Sequence, residues 1–308
     1  MNQKKIRQQF ADTLLEVGKK DPNLVVLIGD ISHFILQPFA QACPGRFYNV
    51  GICEPTIISM AAGLAKVGFF PVAHTIAPFI IERSFEQIKL DFCYQMLPGN
   101  LVTVGSVFDY SNLGCTHHCY DDFALLKSLP HTQIVYPASC VEFDLLFKQC
   151  YDNKLLTLYR MPEYQHEQEI DPSVIEVGKA IKIAEGNDLT VVVTGPQLRN
   201  AMQARDELTR KGWATEILYV HTILPLDIEA IRKSVERTKK VLVVEEHNRF
   251  GGLGSDILQS IYDIKGLHFS SIAIDSFLHD YGTYDDHCRN LGFSAEVIVA
   301  NILNNFNK

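Results

Sequence analysis

The sequence predicts an α/β protein of two domains, each a three-layer α/β/α unit on a mostly parallel sheet. Three observations carry this prediction. The chain has 308 residues, more than one hydrophobic core usually organises. Helix-like and strand-like segments alternate along both halves, the rhythm of a sheet covered on both faces. A polar, irregular stretch from Arg160 to about Asp188 parts the two series. The expected division is 1–165, a linker 166–187 and 188–308.

The elements follow in order. Asn2 to Val17 places Ile6, Phe10, Leu14 and Val17 on one helical face and ends at Gly18. Leu24 to Ile28 is a short β-rich run. Further strands are expected at Phe69 to Ala73, Leu101 to Val104, Ile134 to Tyr136 and Leu155 to Tyr159. Crossover helices are expected at Pro78 to Gln95 and Ser139 to Tyr151. The linker has room for one short hairpin. The second series then reads strand Leu189 to Thr194, helix Gln197 to Lys211, strand Thr215 to Val220 and helix Asp227 to Glu236. It closes with strand Val241 to Val244, helix Leu253 to Ile264, strand His268 to Ile274 and helix Ser294 to Phe306.

Composition narrows the function. A hydrophobic fraction of 47% and a charged fraction of 21% are those of an ordinary globular protein. The net charge of -8, with no basic run longer than a lysine pair, argues against a nucleic-acid partner. The N-terminal MNQKKIRQQF has no signal-peptide pattern and no apolar run is long enough to span a bilayer, so a cytoplasmic location without membrane contact is expected. Eight scattered cysteines form no spacing framework and read as reduced thiols. Cys115-Thr116-His117-His118-Cys119 packs its candidate ligands too closely to wrap one ion tetrahedrally, so no metal site is expected in this chain.

One stretch poses a chemical question. Residues 50–65 read VGICEPTIISMAAGLA, with Glu54 the single charge between Gly51 and Ala65. Ile57, Ile58, Ala61, Ala62 and Ala65 make one apolar helical face. Glu54 could be a first-turn acid favoured by the helix dipole, with Pro55 opening the helix. It could also be a functional acid in a dry site, because glutamate is rarely buried without a partner. Ligands of parallel sheets bind beyond the strands' carboxyl ends, which here include Gly29-Asp30, His74-Thr75, 105–118 and Arg160. GGLGSD at 251–256 follows a strand and opens a helix, but lacks the spacing of a phosphate loop.

Several of these loops together resemble one family. VGICEPTIISMAAGLA resembles the transketolase and deoxyxylulose-phosphate-synthase pattern in which Gly-Ile-x-Glu opens a helix of small residues. GCTHHCYDDFALLKSLP at 114–130 resembles the family's G-x-T-H-x block, and Tyr159-Arg160 its arginine after a strand. VVVTGPQLRNA, HTILPLD and VVEEHNRFGGLGSDI resemble its C-terminal domain. The resemblance implies a thiamine-diphosphate pyrimidine-binding fold followed by a transketolase C-terminal domain. It implies that Glu54 bonds N1′ of the cofactor's aminopyrimidine, a role suited to a carboxyl that can share a proton in an apolar pocket. His117 then meets the donor sugar and steadies charge. His118 and His74 join the substrate set, and Arg160 grips a sugar phosphate with its fork of donors. Asp122 or Asp121 is expected to cap the next helix. Ile52 lines the cofactor, and its pyrimidine stacks on Phe79 or, in ungapped register, on Ile80.

Departures accompany the match. Gly29-Asp30 begins like the GDG signature of thiamine-diphosphate enzymes, but Ile31 replaces the second glycine. An acid that reads sugar hydroxyls in many transketolases falls at Leu113. The resemblance starts at the pyrimidine-binding domain, which implies a split enzyme. A separate N-terminal transketolase subunit would then hold the diphosphate and its Mg2+ or Ca2+. An α2β2 heterotetramer is expected, with this chain forming a homodimer. The implied activity is transfer of a two-carbon ketol unit between sugars or sugar phosphates. The alternatives are a 2-oxo acid dehydrogenase β-subunit and a non-catalytic subunit that keeps the fold.

Overall fold

Alternation in the sequence becomes two sheets flanked by helices. The computed structural model describes residues 4–306. Its strands in chain order are Leu24–Ile28 (β1), Phe47–Asn49 (β2), Phe70–Ile76 (β3), Gly99–Val104 (β4), Thr132–Val135 (β5), Leu156–Met161 (β6), Ala180–Ala184 (β7), Leu189–Val193 (β8), Thr215–Val220 (β9), Thr222–Leu224 (β10), Lys240–Asn248 (β11) and His268–Ile274 (β12). The first sheet runs β10-β5-β6-β4-β3-β1-β2 and the second β12-β11-β8-β9-β7. All pairings are parallel except β10 with β5 and β7 with β9, each at a sheet edge. Every residue of β1, β4, β6, β8 and β9 is buried, as central strands covered on both faces require.

Where the chain departs from the sequence-based expectation, packing decides. The first helix is Ile6–Lys20. The expected start at Asn2 lies outside the described residues. It continues through Gly18 because that glycine serves a close contact rather than a cap: a Cβ there would fall 2.4 Å from Phe39. The expected helix from Pro78 to Gln95 is broken into Ala77–Ile81, Phe85–Gln87 and a π-helical turn Ile88–Cys93. At the first break the Arg83 N–H donates back five residues to the Pro78 carbonyl at 3.2 Å. No hairpin forms in the linker; β7 instead pairs with β9.

The two sheets are stitched together. After β9 the chain turns at His221, and β10 adds to the edge of the first sheet. One apolar cluster continues from Phe10 and Phe143 through Phe108 to Tyr284 and Phe293. Tyr284 belongs to a helix, Tyr284–Asn290, that periodicity did not reveal. Its Thr283 and Asp286 form a capping box, the one local signal that marks it. No helix among the described residues is long and apolar enough to cross a membrane.

Candidate active site

Glu54 is the first residue of helix Glu54–Lys66, and Pro55 follows in the first turn. The small, apolar face of that helix packs on the first sheet, which draws the carboxyl under the rim with only 1% of the residue exposed. Its Oε2 accepts a hydrogen bond from Arg83 Nη1 at 2.8 Å. Its Oε1 is buried and has no hydrogen-bond partner among the described residues. An unpaired buried oxygen is costly, and such atoms call for an explanation. The neighbourhood is therefore not wholly apolar, as the sequence suggested: the break after Ile81 brings Arg83, 46% exposed at its side chain, against the carboxylate.

The same arginine links Glu54 to the next group. Its guanidinium lies over the Phe79 ring, 4.4 Å from the centroid. Phe79 meets His117 edge-on at 5.2 Å, and Tyr110 meets His117 from another side at 6.1 Å. His117 is half-buried, and its Nδ1 lies 3.0 Å from Thr116 Oγ1. Glu54, Arg83, Phe79 and His117 thus form one contiguous group on the carboxyl side of the first sheet. Arg83 was missed by sequence reasoning, although Glu82-Arg83 is the only charged pair in the stretch 75–85.

His117 rides on the loop after β4. Gly105 begins that loop with φ +79 and lies under Tyr110, where a Cβ would fall 2.5 Å from the ring. Ile52 and Leu113 stand at the rim, 71% and 51% exposed.

Four expected site residues are buried in this chain. Ile80 is fully buried in the core with Ile57, Ile58 and Phe123, whereas Phe79 is only partly buried. His74 is fully buried; its Nδ1–H donates to the Val102 carbonyl at 2.7 Å and its Nε2 accepts from Ser32 Oγ at 2.9 Å. Burial brings its pKa down to about 3 against the pull of that carbonyl, so it is a neutral strut for the loop after β1. His118 is also buried. Its Nε2–H donates to the Tyr110 carbonyl at 3.3 Å and its Nδ1 accepts from Tyr120 Oη at 2.8 Å. Burial lowers its pKa to about 4.

Arg160 is the fourth of these residues. It is fully buried, with Nε 2.8 Å from Asp122 Oδ2 and Nη2 donating to Asp122 Oδ1 at 2.9 Å. Nη1 donates to the Glu246 carbonyl at 2.9 Å, and the guanidinium lies over the rings of Phe123 and Tyr136 at 4.2 and 4.8 Å. Burial works against its charge, but Asp122, with smaller contributions from Tyr136, Cys119 and Glu246, outweighs it, so the pKa is raised. Both Nη groups donate within the chain, whereas Nε, close as it is to Asp122 Oδ2, makes no hydrogen bond among the described residues. Asp122 accepts from the Phe123 N–H at 2.9 Å, but its main partner is Arg160 rather than the helix end; Asp121, at the N-cap, makes no side-chain cap bond.

The group at Glu54 fits an aromatic ring carrying a basic nitrogen: one buried acid oxygen is free, and the partly buried Phe79 ring, covered by Arg83, belongs to the same group. His117 adds a donor or acceptor for a hydroxyl. Among the described residues, no group of three or more His, Cys, Asp or Glu side chains could hold a metal ion.

The family model for the transketolase pyrimidine binding domain matches residues 2–161, and that for the transketolase C-terminal domain matches 178–298. An apulose-4-phosphate transketolase subunit from Phocaeicola vulgatus is 34% identical over 264 residues, covering 83% of each chain. A putative transketolase C-terminal section from Methanocaldococcus jannaschii is 30% identical, covering 99% of this chain and 97% of its own. A solved structure described as a split gene transketolase, inactive beta4 tetramer, superposes with a TM-score of 0.88 at 26% identity, covering 99% of this chain and 98% of its own.

Proposed function

Because this chain belongs to the transketolase family, matching both its pyrimidine-binding and its C-terminal domain, we propose that it is the C-terminal subunit of a split, thiamine-diphosphate-dependent transketolase. It would transfer a two-carbon ketol unit between sugars or sugar phosphates in the cytoplasm. The domain division 1–165, 166–187 and 188–308 belongs to this reading.

The observation that carries it is the buried, unpartnered Oε1 of Glu54 beside Phe79. When bound, thiamine diphosphate supplies a nucleophilic carbon that opens the bond next to a ketose carbonyl. This chain's part is to hold and polarise the ring. Glu54 Oε1 would bond a ring nitrogen and share its proton, Phe79 would stand beside the ring, and Ile52 would line its entrance. His117, at the edge of Phe79, reaches the donor sugar. A phosphate reaching Arg160 would have to compete with the Nη bonds to Asp122, Cys119 and Glu246.

An N-terminal transketolase subunit would bring the diphosphate site and its Mg2+ or Ca2+, within an α2β2 heterotetramer. The relatives' names support this, one being a transketolase subunit and another a C-terminal section. Calorimetric titration of thiamine diphosphate with magnesium, into this chain alone and mixed with the diphosphate-binding chain, tests the proposal. Binding only in the mixture is expected. Absence of binding in both, with the two chains shown to associate, overturns it in favour of a non-catalytic subunit.

A further inference from the structure

The loop that carries His117 is held from outside its own sheet. Ser106 donates its Oγ–H to Glu246 Oε2 on β11 at 3.0 Å. The Ser106 N–H donates to Asp109 Oδ2 at 2.6 Å, and that same oxygen accepts from the Glu163 N–H at 2.8 Å. Glu246 is anchored in turn, its Oε1 accepting from Gln197 Nε2 at 2.6 Å and from the Tyr284 hydroxyl. Further along, Phe108 is wedged against Tyr284 and Phe293 at 5.1 and 6.0 Å, and His287 Nε2 donates to the Ser111 carbonyl at 3.2 Å. Ser106, Asp109, Glu246, Gln197 and Tyr284 are all buried.

Two acids gripping one serine in a dry joint is an expensive arrangement. Burying a carboxylate costs free energy, and a second nearby makes it worse. Simple cohesion between the sheets would be better supplied by apolar side chains, as Phe108 supplies it. What the polar joint adds is direction: hydrogen bonds fix the start of the loop in one pose where packing alone tolerates several. From that start the chain runs through Tyr110, whose ring flanks His117.

We propose that Glu246 and Asp109 are positioning residues that, by holding Ser106 between them, set the turn at 111–118 and with it the place of His117 against Phe79. The consequence for catalysis rests on the reading of His117 given above. The second sheet, which contributes no side chain to the Glu54 group among the described residues, then acts on the site through this one loop.

The test uses the full chain with its histidines labelled at Cε1, the His117 resonance being assigned through His117→Gln. Lying among two aromatic rings, that resonance carries a ring-current displacement that reports its pose. Ser106→Ala, which removes the hydroxyl bonded to Glu246 and keeps the N–H bonded to Asp109, is expected to move the resonance toward its random-coil position. It is also expected to speed amide exchange of 111–118 about tenfold, a local opening, with β1, β4 and β6 unchanged. Glu246→Gln, whose amide can keep the bonds to Gln197, Tyr284 and Ser106, is expected to leave both readouts near wild type. An unmoved His117 resonance in Ser106→Ala overturns the proposal, as does loss of protection spread over the whole sheet. If the resonance moves but His117→Gln keeps full transferase activity in the assembled enzyme, the clamp stands and the catalytic reading of His117 falls.

Discussion

Arg160 and Asp122 face each other in full burial, two contacts of 2.8 and 2.9 Å joining fork to carboxylate. The pair is closed to water, so removing one partner leaves the other charge stranded. Asp122→Asn is expected to lower unfolding free energy by about 3–5 kcal/mol, the cost typical of breaking a buried pair from one side. Denaturant midpoints check this. The same pair predicts that Arg160→Lys harms stability before it harms substrate affinity. A selective rise in KM for a phosphorylated donor, with unchanged stability, would restore the gripping role.

The case of Arg160 shows where reading the sequence stops. The strands were legible because buried parallel strands are unbroken apolar runs, and Glu54 was legible because it is a lone charge in such a run. Arg160, His118 and His74 look chemical in one dimension; each is buried and bonded to a partner the sequence pattern does not announce, namely Asp122, Tyr120 and Ser32. Arg83 went unread because its role depends on a helix break that periodicity smooths over. The short strand Thr222–Leu224 lies in the motif HTILPLD, but nothing local says that it joins the other sheet. The rim of the Glu54 group was legible through motifs, whereas its supports depend on tertiary contacts.

Glu54→Gln tests the central acid. The amide matches the carboxyl in size, and the half-exposed Arg83 can turn to water, so the fold should persist with an unchanged circular dichroism spectrum. Turnover with the partner chain should fall to background, because an amide cannot pass a proton to and from a ring nitrogen. Transfer at the wild-type rate would remove Glu54 from the mechanism.

Arg83 gives a coupled prediction. It touches both Glu54 and the Phe79 ring, so Arg83→Met should destabilise the chain by leaving the buried acid without its cation. In Arg83→Met combined with Glu54→Gln there is no charge left to strand, and much of the loss should return. A double-mutant cycle on thermal or denaturant unfolding should therefore show a coupling of about 1 kcal/mol. Additive effects would mean that the contact carries no energy in solution.

Asp109 makes stability depend on pH in a direction that can be worked out. Burial, then the charge of Glu246, pushes its pKa from 3.8 up to about 7, against the pull of the Ser106 and Glu163 N–H groups. Glu163 adds a weaker like charge, while its own partner Arg7 stands on the first helix. A raised acid holds its proton in the folded state where the unfolded chain has already lost it. Its stabilising effect is therefore complete below about pH 4, declines as pH rises, and is gone above about 7. Asp109→Asn can keep both N–H bonds, because they converge on a single oxygen, and it carries no charge to bury. Relative to wild type, the variant should gain stability by up to about 1.4 kcal/mol per pH unit within that window and gain no more beyond it. Because Glu246 lies close enough to share the titration, the rise should be broader than that of a single group. Unfolding midpoints of both proteins at pH 5, 6, 7 and 8 decide the matter. A difference that stays constant across the four would mean that Asp109 is already ionised at the lowest, and that Arg7 or solvent reaches the joint that burial is argued to keep dry.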